Sequence, residues 1–145
     1  MTNDVKPMQI TVYHSWESGN AKNCRYPNTG VGSTPEELKA LFCYDHTFIR
    51  FKNSYRSIDN FEEVSVAAGD IDNDHSDDPG KWIYVQDIPR LFPDVPCIIY
   101  TSRNHMKQKG KYSPRPRFHV VFLVDPITDP NRFTVLMQRL QAAYP

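Results

Sequence analysis

Twelve prolines against six glycines break this chain often, because proline lacks a backbone donor and clashes with the preceding helical turn. The fold must be assembled from short strands and helices. There is no internal repeat, low-complexity tract or linker, and 145 residues suit a single domain, 1–145, with one modest core.

Hydrophobic periodicity then divides the chain. Met8 to Tyr13 alternate and carry β-branched residues, which predicts a first strand; a polar stretch follows from Ser15 to Gly32. Thr34-Pro35-Glu36-Glu37 signals a helix start, with Thr34 as N-cap, Pro35 in the first turn and Glu37 closing a capping box; the helix should run to about Phe42. His46 to Lys52 and Val64 to Asp72 read as strands, and a short helix is expected around Gln86 to Phe92, limited by Pro89. Val95 to Thr101 and Arg117 to Val124 are apolar β runs separated by the polar loop Ser102 to Pro116. After Asp129-Pro130, Phe133, Leu136, Met137 and Leu140 form one helical stripe. The order β-α-β-β-α-β-β-α implies an α+β fold, an antiparallel or mixed sheet with helices packed on it.

Formal net charge is zero, so attraction to polyanions must come from local segregation of charge. No apolar run approaches the roughly 20 residues that span a bilayer, and membrane association is not expected. The opening residues lack a signal-peptide pattern. The three dispersed cysteines, Cys24, Cys43 and Cys97, suit a reducing, cytoplasmic setting. Cys43 and His46 have a metal-like spacing that Cys24 and His14 could extend, but without a second close pair the zinc signal is weak. No phosphate-cradling glycine loop or nucleophile elbow occurs.

The most informative segment is Val64-Ser65-Val66-Ala67-Ala68-Gly69-Asp70-Ile71-Asp72. On a strand, Asp70 and Asp72 share a face, about 7 Å apart, with Ile71 turned to the core. Two such carboxylates can hold one or two hard cations, as nucleotidyl transfer requires. The competing reading is a solvated acidic turn, since Asp74, Asp77 and Asp78 follow. A calcium loop is disfavoured because His75 and Lys81 stand where glycine and glutamate would be needed.

From Thr101 to Phe118 the chain carries Arg103, Lys107, Lys109, Lys111, Arg115, Arg117 and His105, and no acid. Such a segment suits a triphosphate or a nucleic-acid backbone, although a merely solvated loop is the alternative. Arg117 and His119 share a strand face, where a phosphate-binding role competes with a structural one.

Taken together, Asp70-Ile71-Asp72, a basic loop and a strand histidine at His119 resemble the archaeo-eukaryotic primase superfamily. The strings Gly69-Asp70-Ile71-Asp72-Asn73-Asp74-His75-Ser76-Asp77, Tyr100-Thr101-Ser102-Arg103-Asn104-His105-Met106-Lys107 and Arg115-Pro116-Arg117-Phe118-His119-Val120-Val121-Phe122 are similar to primases of bacterial phages and integrated mobile elements. Lys22-Asn23-Cys24-Arg25-Tyr26-Pro27 is similar to the same group. The resemblance implies an RNA-recognition-motif-like (RRM-like) catalytic core with a small α/β lobe, binding Mg²⁺ or Mn²⁺ through Asp70 and Asp72. It implies His119 as a catalytic contact to the incoming nucleotide, with Ser102, Arg103, His105 and Arg117 lining the nucleotide pocket. Nucleoside triphosphates, a single-stranded DNA template and a helicase domain or protein are the implied partners.

The family's third carboxylate lies on a strand beyond the closing helix. Asp125 is a poor substitute, about 20 Å along the strand from His119, and Asp129 reads as a helix cap. A C-terminally incomplete catalytic domain, or a natural short form, is therefore expected. Two rival functions follow from the same residues: a non-catalytic single-stranded nucleic-acid-binding or replication-initiation module, and a metal-dependent nuclease.

Overall fold

A computed structural model describes residues 8–145. They group into two compact units: residues up to Val66 with Leu123–Thr134, and Ala67–Phe122 with Val135–Pro145.

In the first unit, strand β1 (Ile10–His14) is central to a three-stranded sheet, flanked by β2 (Asn28–Gly32) and β3 (His46–Thr47), both antiparallel to it. The alternation read in the sequence sets its faces: Ile10, Val12 and His14 are buried while Thr11 and Tyr13 are partly open. Helix α1 (Pro35–Phe42) begins as its sequence predicts. Thr34 Oγ1 accepts the Glu37 N–H at 3.2 Å, satisfying a first-turn donor, but the Glu37 carboxylate accepts the Ser33 N–H at 2.8 Å, one residue before the cap, in place of the Thr34 N–H that a capping box would use. Strand β4 (Ile49–Phe51) pairs antiparallel with the first part of β5 (Phe61–Ile71), where Arg50 bonds Glu62 and Glu63 across the hairpin.

The second unit contains the end of β5, a single-turn helix α2 (Ile88–Leu91), β6 (Cys97–Thr101) and the start of β7 (Phe118–Ile127). Strands β6 and β7 pair antiparallel from Cys97 opposite Phe122 to Thr101 opposite Phe118. Ile71, Ile83, Ile88, Phe118, Val120, Val121 and Phe122 form its buried core. The last helix, α3 (Pro130–Ala143), contributes to both units, and Tyr144 just beyond it stacks edge-on against Phe92. The long strands belong to a four-stranded sheet of order β4-β5-β7-β6.

The architecture is α+β with antiparallel pairing, as expected. Two details differ from the sequence reading. The polar stretch before Gly32 contains β2, and the expected strand from His46 to Lys52 divides into β3 and β4, in separate sheets. The division falls where Thr47 Oγ1 accepts the Ile49 N–H at 3.2 Å, a side-chain bond that competes with the ladder. Among the described residues no helix is long and apolar enough to cross a membrane.

Candidate functional site

The end of β5 carries the two aspartates. Ile71 between them is buried, at 6 % exposure, while the Asp70 and Asp72 side chains are 70 % and 49 % exposed. Both carboxylates therefore leave the strand on the same open side. Asp70 bonds His119 Nδ1, and Asp72 Oδ1 lies 3.3 Å from Arg117 Nη1. These contacts step in opposite directions along the chain, 70 to 119 and 72 to 117, as antiparallel neighbours do. Thus Asp70, Asp72, Arg117 and His119 occupy one locus within the second unit.

His119 is held on two sides. A carboxylate oxygen only accepts, so Nδ1 carries the proton in this bond and Nε2 is left for a second partner. Its ring stacks on Tyr100, with centroids 4.5 Å apart. Burial, and secondarily the Asp70 carboxylate, push the Tyr100 phenol well above its ordinary pKa, so the ring beneath the imidazole stays neutral.

Arg117 departs from its expected role. Its side chain is fully buried, and Nη2 donates to Asp74 Oδ1 at 2.8 Å while Nη1 faces Asp72. A guanidinium enclosed this way anchors the acidic turn and does not reach out to a triphosphate. In return the hydrogen bond from Arg117 holds the Asp74 carboxyl below the usual carboxylate range.

Arg115, counted from the sequence among the free loop cations, is likewise buried. Nε donates to Ser113 O, Nη1 to the carbonyls of Asn73 and Ser76, and Nη2 to Asp77 and Ser113 Oγ. Every donor is used, and the guanidinium lies over the rings of Trp82 and Tyr112 at 5.0 and 5.1 Å. Asn73 completes the clasp. In a left-handed conformation (φ 57°), it donates through Nδ2 to the carbonyls of Ile83 and Pro116 and accepts the Ile83 N–H. The acidic turn is therefore tied internally; Trp82 Nε1 also donates to Ser76 O, and His75 bonds Lys81 O.

The loop from Ser102 to Pro116 is a closed hairpin. Ser102 N donates to Arg117 O, the Arg117 N–H donates to His105 Nδ1, and Met106 N donates to Arg115 O. Lys109 and Tyr112 exchange backbone bonds around Gly110, whose φ of 57° suits glycine. Ser102 and His105 are half-buried members of this closure, while Arg103, Lys107, Lys109 and Lys111 remain exposed. The segment's cationic surface is thus four side chains, since Arg115 and Arg117 face inward.

From the sequence, Asp74 and Asp77 read only as members of an acidic turn, and Asn73 has no assigned role. The available signal was complementary spacing: acids at alternate positions in one segment, and arginines at alternate positions in another. Asp129 caps α3, its Oδ1 accepting the Asn131 N–H at 2.9 Å, as read. Among the described residues no three His, Cys, Asp or Glu side chains gather to hold a metal by themselves, around Cys43 and His46 or elsewhere. A pair of carboxylates is nonetheless the donor set with which Mg²⁺ is commonly held when substrate phosphates complete its shell. The residues present at Asp70 and Asp72 fit that requirement.

Comparison of the chain with protein-family models, characterised proteins and solved structures found no match.

Proposed function

We propose that the second unit carries the metal and nucleotide centre of a primase-polymerase-type nucleotidyltransferase, acting in replication of a phage or mobile element. The observation that carries this reading is the pair of exposed carboxylates beside a carboxylate-held imidazole. Asp70 and Asp72 would hold Mg²⁺ or Mn²⁺, which when bound would neutralise phosphate charge and lower the pKa of the attacking hydroxyl. Asp70 serves a second purpose by fixing His119; in the imidazolium form, where both ring nitrogens donate, Nε2–H meets a phosphate oxygen at a defined position. A carboxylate has two oxygens and several lone pairs, so bonding His119 leaves it coordinating capacity. Arg117 positions Asp72 by charge from below, and Arg103 is the exposed arginine near the hairpin base that is suited to the outer phosphates. The RRM-like core, the DNA template and a helicase partner belong to the same proposal.

The test is nucleoside triphosphate affinity with and without Mn²⁺. Wild-type protein should bind at least about tenfold more tightly with Mn²⁺, a change of about 1.4 kcal/mol, and Asp70→Ala/Asp72→Ala should lose that increment. Metal-independent affinity in the wild type contradicts the centre. Cleavage of an oligonucleotide with Mg²⁺ and no added nucleotide would reassign the same carboxylates to a nuclease.

A further inference from the structure

The string Lys22-Asn23-Cys24-Arg25-Tyr26-Pro27 has no part in the centre described above, yet the first unit builds it with care. Asn23 is buried: Nδ2 donates to Ser15 Oγ and Asp45 Oδ2, and Oδ1 accepts the Arg25 N–H at 2.9 Å. Tyr26 is buried as well, its hydroxyl donating to Asn23 O. These anchors set the segment against residues 54–56. Tyr26 N donates to Ser54 O, Arg56 N donates to Cys24 O, and Arg25 lies opposite Tyr55 in an antiparallel bridge. A tight turn at Asn53 and Ser54, both at positive φ, closes the second arm.

The ribbon's outward groups are Lys22, Arg25, Lys52 and Arg56, and residues 21–27 with 52–58 contain no acid. None of the four makes an ion pair among the described residues. Asp45, the nearest acid named in the ribbon's own bonding, is committed to the N–H groups of Gly19 and Asn20 and to Asn23. The arginines are paired with rings: Arg25 Cζ lies 5.3 Å from the Tyr55 centroid, and Arg56 Cζ 5.9 Å from that of Tyr26. Tyr55 stays 41 % exposed. In a neutral protein, unpaired cations beside an open aromatic ring match single-stranded nucleic acid, whose phosphates take the cations and whose bases stack. An acidic peptide would use the charge but not the ring.

We propose that this ribbon binds single-stranded nucleic acid, Arg25 and Arg56 holding phosphates and Tyr55 stacking on a base. Calling the strand a template rests on the nucleotidyltransferase reading; the binding itself does not. The experiment measures fluorescence anisotropy of a labelled oligodeoxynucleotide on the full chain in EDTA with no nucleotide, across a salt series. Loss of the metal centre leaves this readout unaffected, so the two proposals fail separately. Arg25→Gln/Arg56→Gln should weaken binding about tenfold and reduce the salt slope by about 1.4, the value for two single-strand phosphate contacts. Arg25→Lys/Arg56→Lys should keep the slope, which guards against misfolding as the explanation. Tyr55→Ala should cost about tenfold and Tyr55→Phe little. Wild-type affinity in the glutamine variant overturns the proposal. So does a loss confined to Lys107→Gln/Lys109→Gln/Lys111→Gln, absence of binding by the wild type at low salt, or equal displacement by polyglutamate of matched charge.

Discussion

At the scale of single residues, the acidic turn depends on two buried arginines more than on its own composition. Arg115 serves three backbone carbonyls, a carboxylate and the Ser113 hydroxyl with one planar fork. A lysine cannot reproduce that geometry, so Arg115→Lys should cost about 3 kcal/mol in urea unfolding, since buried acceptors would lose their donors. Asp74 offers a pH test. Its hydrogen bond with Arg117 lowers its folded-state pKa, so its stabilisation is complete above the unfolded carboxylate value near 3.9 and is lost as pH falls through the lower folded value. Asp74→Asn should therefore be less stable than wild type by about 1 kcal/mol at pH 7, since solvent screens a pair whose carboxylate is exposed, with the gap closing below about pH 4. A gap unchanged at pH 2 would mean that the Asp74–Arg117 ion pair adds nothing to stability.

At the scale of elements, legibility followed the strength of the local signal. Helix α1 was readable because Thr34 and Glu37 act locally, and α3 because Asp129-Pro130 precedes a clear stripe. Strand β2 was not readable. Asn28-Thr29-Gly30-Val31-Gly32 has little β character, and its glycines answer a tertiary demand. A Cβ on Gly30 would stand 2.3 Å from Leu41 Cδ2, and one on Gly32 2.8 Å from Leu38 Cδ2 and 3.3 Å from Leu38 N. The helix packs where side chains would otherwise be. Gly32→Val should thus destabilise by about 2 kcal/mol in thermal or urea unfolding, and a neutral result would mean that α1 shifts freely. In the candidate site, the strand period revealed that Asp70 and Asp72 share a side, whereas the inward turn of Arg115 and Arg117 depended on partners about forty residues away in sequence. Long-range pairing of that kind leaves no periodicity to read.

At the scale of the whole molecule, zero net charge conceals a division of labour. In the second unit, acids and arginines neutralise one another beneath an open pair of carboxylates. In the first, a ribbon carries cations that make no ion pair among the described residues. By charge alone the hairpin's arginines and lysines form one basic surface; burial separates the cations that brace the fold from those left open to solvent. The proposed centre requires Asp70 and Asp72 to take a metal ion within reach of the His119 imidazole. Its most direct test is paramagnetic broadening of the histidine side-chain NMR signals during a Mn²⁺ titration in the presence of nucleoside triphosphate. Early broadening of the His119 resonances is expected in wild-type protein, and its abolition in Asp70→Ala/Asp72→Ala. Sharp His119 signals at saturating Mn²⁺, or equal broadening in the double variant, would contradict it.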